Sequence, residues 1–199
     1  MWTVLHRVSR RTSGLDVFPL AAAKDHLRLA ADDTADDTIL TECIRRAVDA
    51  VEGPDGIGIA LMSADWVLSL DRLPRKIALP LGPVADIVSV VWRDAEDVEA
   101  TLDAGAYRVE TGVDPALLLA RPGADWPTPY REAGSVLITY TAGYASANEI
   151  PGPLMQAIAL MVGDFYEHRE GTVIGAHSAA SLPMGVERLL APFRRGQFA

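Results

Sequence analysis

The chain has 199 residues, 49% of them hydrophobic, and a net charge of −9, with an isoelectric point near 4.8. A chain of this length buries roughly 70% of the surface its unfolded form exposes, so it needs no staple, and its single cysteine, Cys43, permits neither an intrachain disulfide nor a cysteine-based zinc site. The acidic balance argues against a body built to grip nucleic acid, which needs a basic face, and no uninterrupted apolar run reaches the roughly 20 residues that cross a bilayer.

Residues 1–17 read as a polar, partly basic, flexible arm carrying Trp2 and Leu5. Arg7, Arg10 and Arg11 are not followed by an apolar run or a cleavage site, so no secretion signal is expected and the protein reads as soluble. Pro19 suits the first turn of a helix, in which Leu20, Ala23 and Leu27 share a face. Asp32, Asp33, Asp36 and Asp37 then offer N-caps and complement the positive end of the next helix. They do not form a calcium loop, because the mid-loop glycine and terminal glutamate are missing. That next helix, 38–51, carries its stripe on Leu40, Cys43, Ala47 and Val51, widened by Ile44 and Val48, which makes Cys43 a small core residue. Gly53-Pro54-Asp55-Gly56 ends it.

From 61 to 141 the period changes to that of strands. Trp66, Leu68 and Leu70 alternate with Val67 and Ser69; Ile77 and Leu79, the run from Val84 to Trp92, Tyr107 to Val109, Ala116 to Leu119 and Val136 to Tyr140 follow. Short strands without long intervening helices predict an antiparallel sheet or small sandwich. A third helix starts at Pro153, with Leu154, Ile158, Met161 and Phe165 on one face, His168 and Arg169 in its last turn and Gly171 as its stop. The fold class is therefore α+β: a helical bundle of two N-terminal helices and one long C-terminal helix, interrupted by an inserted antiparallel β region. The domain runs from 18 to 170, and 171–199 form a loop and an extended tail.

No catalytic constellation emerges. His168 lacks a second histidine at zinc-helix spacing, since His177 lies nine residues on. The serines lack a glycine-flanked elbow, and no phosphate loop is present. Trp126, among Pro122, Pro127 and Pro129, reads as a loop anchor at the sheet edge. A small metal-dependent hydrolase or ligand-binding protein using Trp126, His168 and nearby acids is the alternative class, which stoichiometric bound metal would favour.

The order of motifs carries more than any one of them. Leu20-Ala-Ala-Ala-Lys-Asp-His-Leu-Arg28 precedes the acidic linker and apolar helix. Then come the Trp66 strand, Ile77-Ala-Leu-Pro80 with Gly82-Pro83-Val84, Thr139-Tyr-Thr-Ala-Gly-Tyr144, Pro153-Leu-Met-Gln-Ala157, Tyr166-Glu-His-Arg-Glu170, and Leu182-Pro-Met-Gly185 through Arg194. From about Leu15 onward this series resembles the head–tail connector (adaptor) proteins of tailed phages, a family also encoded by prophages and gene transfer agents.

The resemblance implies a structural, non-enzymatic subunit without cofactor. It would sit in a ring, usually of twelve copies, in the neck of a particle assembled in the bacterial cytoplasm. The ring would join the portal protein to a stopper or tail-completion protein and let DNA pass without specific binding and without a membrane. A stopper itself is a weaker match, being mostly β. The C-terminal segment of such adaptors docks on the portal, which maps here to Leu182, Val186, Arg188, Leu189, Leu190, Pro192, Phe193, Arg194, Arg195 and Phe198. Aromatic and arginine side chains suit such a contact; the alternative is that Val186 to Pro192 packs on its own domain. Asp94, Glu96, Asp97 and Glu99 would repel the DNA backbone if they lined the lumen. The sheet and the helix faces bearing Arg45 and Arg46 are the candidate contacts between copies.

Overall fold

Two apolar cores organise the chain, which a computed structural model describes over residues 3–7, 13–168 and 184–195. The first core is helical. In α3 (Asp37–Val51), Leu40, Cys43, Ile44, Ala47, Val48 and Val51 are all buried, the stripe that the 3.6-residue period predicts. It packs on α4 (Gly152–Glu167), whose Leu154, Ala157, Ile158, Met161 and Val162 face back. Helix α2 (Leu20–Leu27) lies against both, with Pro19 at its N-cap position rather than inside its first turn.

The acidic linker is held by a lysine as much as by helix ends. Lys24 of α2 is 6% exposed. Its Nζ donates to the carbonyls of Asp33 at 2.6 Å and Ala31 at 3.4 Å and pairs with Asp37 at 2.7 Å. Asp36, at the N-cap of α3, makes no side-chain cap; it accepts instead from the Tyr166 hydroxyl of α4. Replacing Lys24 by Ala strips the linker carbonyls and Asp37 of their donor and should cost about 2–3 kcal/mol, since removing one partner of a buried charged hydrogen bond leaves the others desolvated. Urea unfolding measures it.

The second core lies between two antiparallel sheets. The larger has the order β1 (Thr3–Arg7), β2 (Ala64–Leu70), β8 (Val136–Ala142), β4 (Val84–Arg93), β5 (Glu99–Thr101); the smaller runs β3 (Lys76–Ala78), β7 (Leu117–Ala120), β6 (Tyr107–Glu110). Register aligns Trp66 with Tyr140, Leu68 with Ile138 and Leu70 with Val136. Ile87, Val90 and Trp92 of β4 fall opposite the same β8 residues. Side chains directly opposite share a face, so these rows form one apolar layer. Ile77, Leu118 and Tyr107 of the smaller sheet join it.

The N-terminus departs from the flexible arm read in the sequence. Thr3–Arg7 forms an edge strand on β2, from Thr3 opposite Leu70 to Arg7 opposite Trp66. Gly14–Val17 forms a short helix, α1, closed by a capping box: the Ser13 N–H donates to Asp16 at 2.9 Å and the Leu15 N–H to the Ser13 hydroxyl at 3.2 Å. Val17 and Phe18 are buried in the helical core. The physical reason is that β2 offers an open row of backbone donors and acceptors, and pairing with it requires no apolar pattern in the incoming segment. The sheet is therefore built from the chain's start as well as from 61–142.

Candidate functional site

The C-terminal segment folds onto the helical body. Helix α5 (Met184–Leu190) is followed by a 3₁₀ turn, Ala191–Phe193. Val186 and Leu190 are fully buried against α4, and Leu189 and Phe193 pack half-buried beside them. Spacing of three and four residues places these side chains on one face. Arg188, Pro192 and Arg194 stay exposed, Arg194 reaching back to Glu187 at 3.3 Å. Of the ten residues the sequence singled out for docking, Val186 and Leu190 are thus committed to the chain's own core, and Leu182 and Phe198 lie outside the described residues. The outward-facing remainder is Arg188, Pro192 and Arg194.

Arg195 turns inward instead. Its N–H donates to the Ile57 carbonyl at 2.9 Å, and its Nη2 lies 2.8 Å from Asp114 with the arginine side chain 15% exposed. Asp114 and the loop residues around it come from three separate stretches of chain, so no sequence spacing pointed to them.

Beside this arginine lies the seam where the cores meet. The Gly143 N–H donates to the Pro83 carbonyl at 2.8 Å, the Ser63 N–H to Tyr144 at 2.9 Å and the Tyr144 N–H to Leu61 at 3.2 Å. Tyr140 is fully buried, its hydroxyl accepting from the Leu81 N–H at 3.3 Å. Burial drives the Tyr140 phenol far above its ordinary value, against the opposing pull of the Leu81 hydrogen bond and the Arg195 charge; burial also raises Tyr107 and Tyr144. An acid whose folded value is raised supports the fold fully below its unfolded value, and that support is lost as pH climbs beyond it. Stability should therefore fall once pH passes about 10, the free tyrosine value. Tyr140→Phe should flatten that alkaline limb, followed by phenolate absorbance against circular dichroism.

The acidic turn joins β4 to β5. Asp94 closes it by accepting from the N–H groups of Glu96 at 3.0 Å and Val98 at 2.9 Å. Arg93 spans Asp97 at 3.1 Å and Glu99 at 2.7 Å, and these bonds, Glu99 first, hold its guanidinium above its ordinary value. Two of the four acids are thus half-neutralised by a neighbour, while Glu96 makes no ion pair among the described residues. The turn is exposed except at Asp94, which is half-buried, and it stands at the Trp92–Val136–Leu70 end of the large sheet, far along it from the helical body.

Elsewhere, Trp126 anchors its loop as the sequence implied: its indole N–H donates to the Leu73 carbonyl at 3.0 Å, with Arg75 6.0 Å above the ring. His168 ends α4, its Nδ1 3.1 Å from the Asp164 carbonyl. Among the described residues no three of His, Cys, Asp or Glu converge to hold a metal ion.

No family model matches the chain, and no curated protein matches it. Solved structures do. A chain in the virion of a native gene transfer agent particle is 31% identical over 98% of this chain and 97% of its own length, with a TM-score of 0.75. A chain in the neck of an empty gene transfer agent particle, computed with C6 symmetry, is 30% identical over the same shares, with a TM-score of 0.73. A third, in the neck of the native particle computed with C12 symmetry, is 28% identical at a TM-score of 0.69.

Proposed function

Because this chain belongs to the same family as these chains of the gene transfer agent particle and its neck, we propose that it is a head–tail adaptor, a structural and non-catalytic subunit in the neck of a phage-like particle. The observation that carries this is the extent of the likeness: 98% of this chain aligns at 31% identity, so both cores and the C-terminal segment match, not one shared module. Copies would stand in a ring of twelve, in keeping with the C12 and C6 symmetry of the related necks. A ring closes only if each subunit presents two different, complementary surfaces, and the sheet pair and the outer face of α3 with Arg45 and Arg46 are the surfaces this fold exposes for it.

In this reading the C-terminal end, with Arg188, Arg194 and residues 196–199, meets the portal protein, and the far side meets a stopper or tail-completion protein. Arginine beside an aromatic residue is the composition that concentrates binding energy at interfaces. The β4–β5 turn faces the channel, where Asp94, Glu96, Asp97 and Glu99 keep passing DNA from sticking; Arg93 moderates that field without reversing it. A variant lacking residues 196–199 keeps every buried contact described above, so it should fold yet fail to join portal-bearing capsids when made with the other particle components. Normal tailed particles from that variant would refute the tail's role.

A further inference from the structure

One side chain ties together loops from both cores and the end of the chain. The backbone N–H of Arg195 is bonded to Ile57, in the loop after α3, and its Cβ lies against Gly58, 3.0 Å from where a Cβ there would stand. The guanidinium rests on Gly82, in the loop between β3 and β4: a Cβ at Gly82 would come within 2.6 Å of Nη2 and closer still to Nη1. Nη2 then meets Asp114, from the loop between β6 and β7. Nη1 is buried without a hydrogen-bond partner among the described residues. The charge reaches both Tyr140 and Tyr144 at the seam.

We propose that Arg195 is a positioning residue that pins the end of the chain into the seam, so that residues 196–199 leave the subunit from a fixed place and direction; this rests on the adaptor reading above. An arginine is a poor choice for stability alone, because taking its charge out of water is costly and its partner Asp114 remains 65% exposed. It is a good choice for geometry, since a planar fork accepts one arrangement and a flexible ammonium accepts many. A tail that starts from a fixed point loses less freedom on docking, which favours binding without any added contact. Repeated around a ring, the same fixed exit presents every tail in one orientation, and multivalent engagement fails when geometry forbids it.

The test uses the full chain with Arg195→Gln, Arg195→Lys and Gly82→Ala, the last crowding the guanidinium while keeping its charge. Hydrogen exchange at the amides of α5 and of Arg194 and Arg195 is compared with that of α3 and β8, and incorporation into particles is scored beside the variant lacking 196–199. Arg195→Gln and Gly82→Ala should speed exchange in the C-terminal segment by about tenfold while α3 and β8 keep their protection. Both should lower incorporation, with Arg195→Lys between them and the parent. Unchanged exchange, or faster exchange with normal incorporation, overturns the proposal. If removing 196–199 is harmless, the presentation of a docking tail is overturned, and faster exchange in Arg195→Gln would leave Arg195 as a pin of α5 and its following turn alone.

Discussion

A chain cut after Ser181 should lose cooperative folding of its helical body, whereas one cut after Arg195 should melt with the full-length protein. The first cut removes Val186 and Leu190, both fully buried, and uncovers the face of α4 on which they, Leu189 and Phe193 pack. Burying one such side chain is worth about 1.5–3 kcal/mol, and vacated core space adds to the loss. Together that is roughly 5 kcal/mol or more, against a total stability of about 5–15 kcal/mol. The second cut leaves all of these contacts in place. Thermal melts of the two truncations, with dye binding to report exposed apolar surface, check the pair. An unaltered midpoint after the longer cut would mean that α5 contributes nothing to the body. The contrast also governs how the docking segment is dissected, since only the shorter cut separates loss of binding from loss of fold.

Gly143→Ala should be nearly as damaging, though it adds one methyl group. Gly143 has φ +116, and a Cβ there would stand 2.7 Å from the Ser63 nitrogen and closer to the Met62 carbonyl. These are backbone atoms of the stretch entering β2, fixed by the Ser63–Tyr144 and Leu61–Tyr144 hydrogen bonds, so they cannot step aside as a flexible side chain would. Unfavourable backbone conformation costs about 1–3 kcal/mol, and the clash brings the expected destabilisation to about 3 kcal/mol or more. Gly152→Ala is the matched control, because a Cβ there meets nothing within 4 Å. Equilibrium denaturation of the two variants should separate them clearly; equal midpoints would show that the seam yields.

The Thr-Ala-Gly-Tyr run gains a physical meaning from this. In sequence it marks the end of a strand and a turn before a helix. In the fold, Gly143 and Tyr144 are the place where β8 leaves the sheet core and locks to Leu61 and Ser63. The same holds for Lys24, which in sequence is one charge in the Leu20–Arg28 motif and in the fold is buried as the donor that gathers the acidic linker. Charge type is visible in a sequence, whereas the partner that brings a charge inside is not.

Periodicity and turn chemistry were enough to determine the α+β class, the stripes of α3 and α4, and six of the strands to within two or three residues at either end. Those features depend on neighbours a few residues apart, so local order encodes them. Tertiary structure alone decided that Thr3–Arg7 completes a sheet, that β5 closes the acidic turn back on β4, that Val186 and Leu190 belong to the helical core, and that Arg195 reaches Asp114 rather than solvent. Each of these depends on groups distant in the chain meeting in space, where a free strand edge, an uncovered helix face or a gap left by a glycine selects what fills it. A one-dimensional pattern records the residue that fits but not the vacancy it fits into.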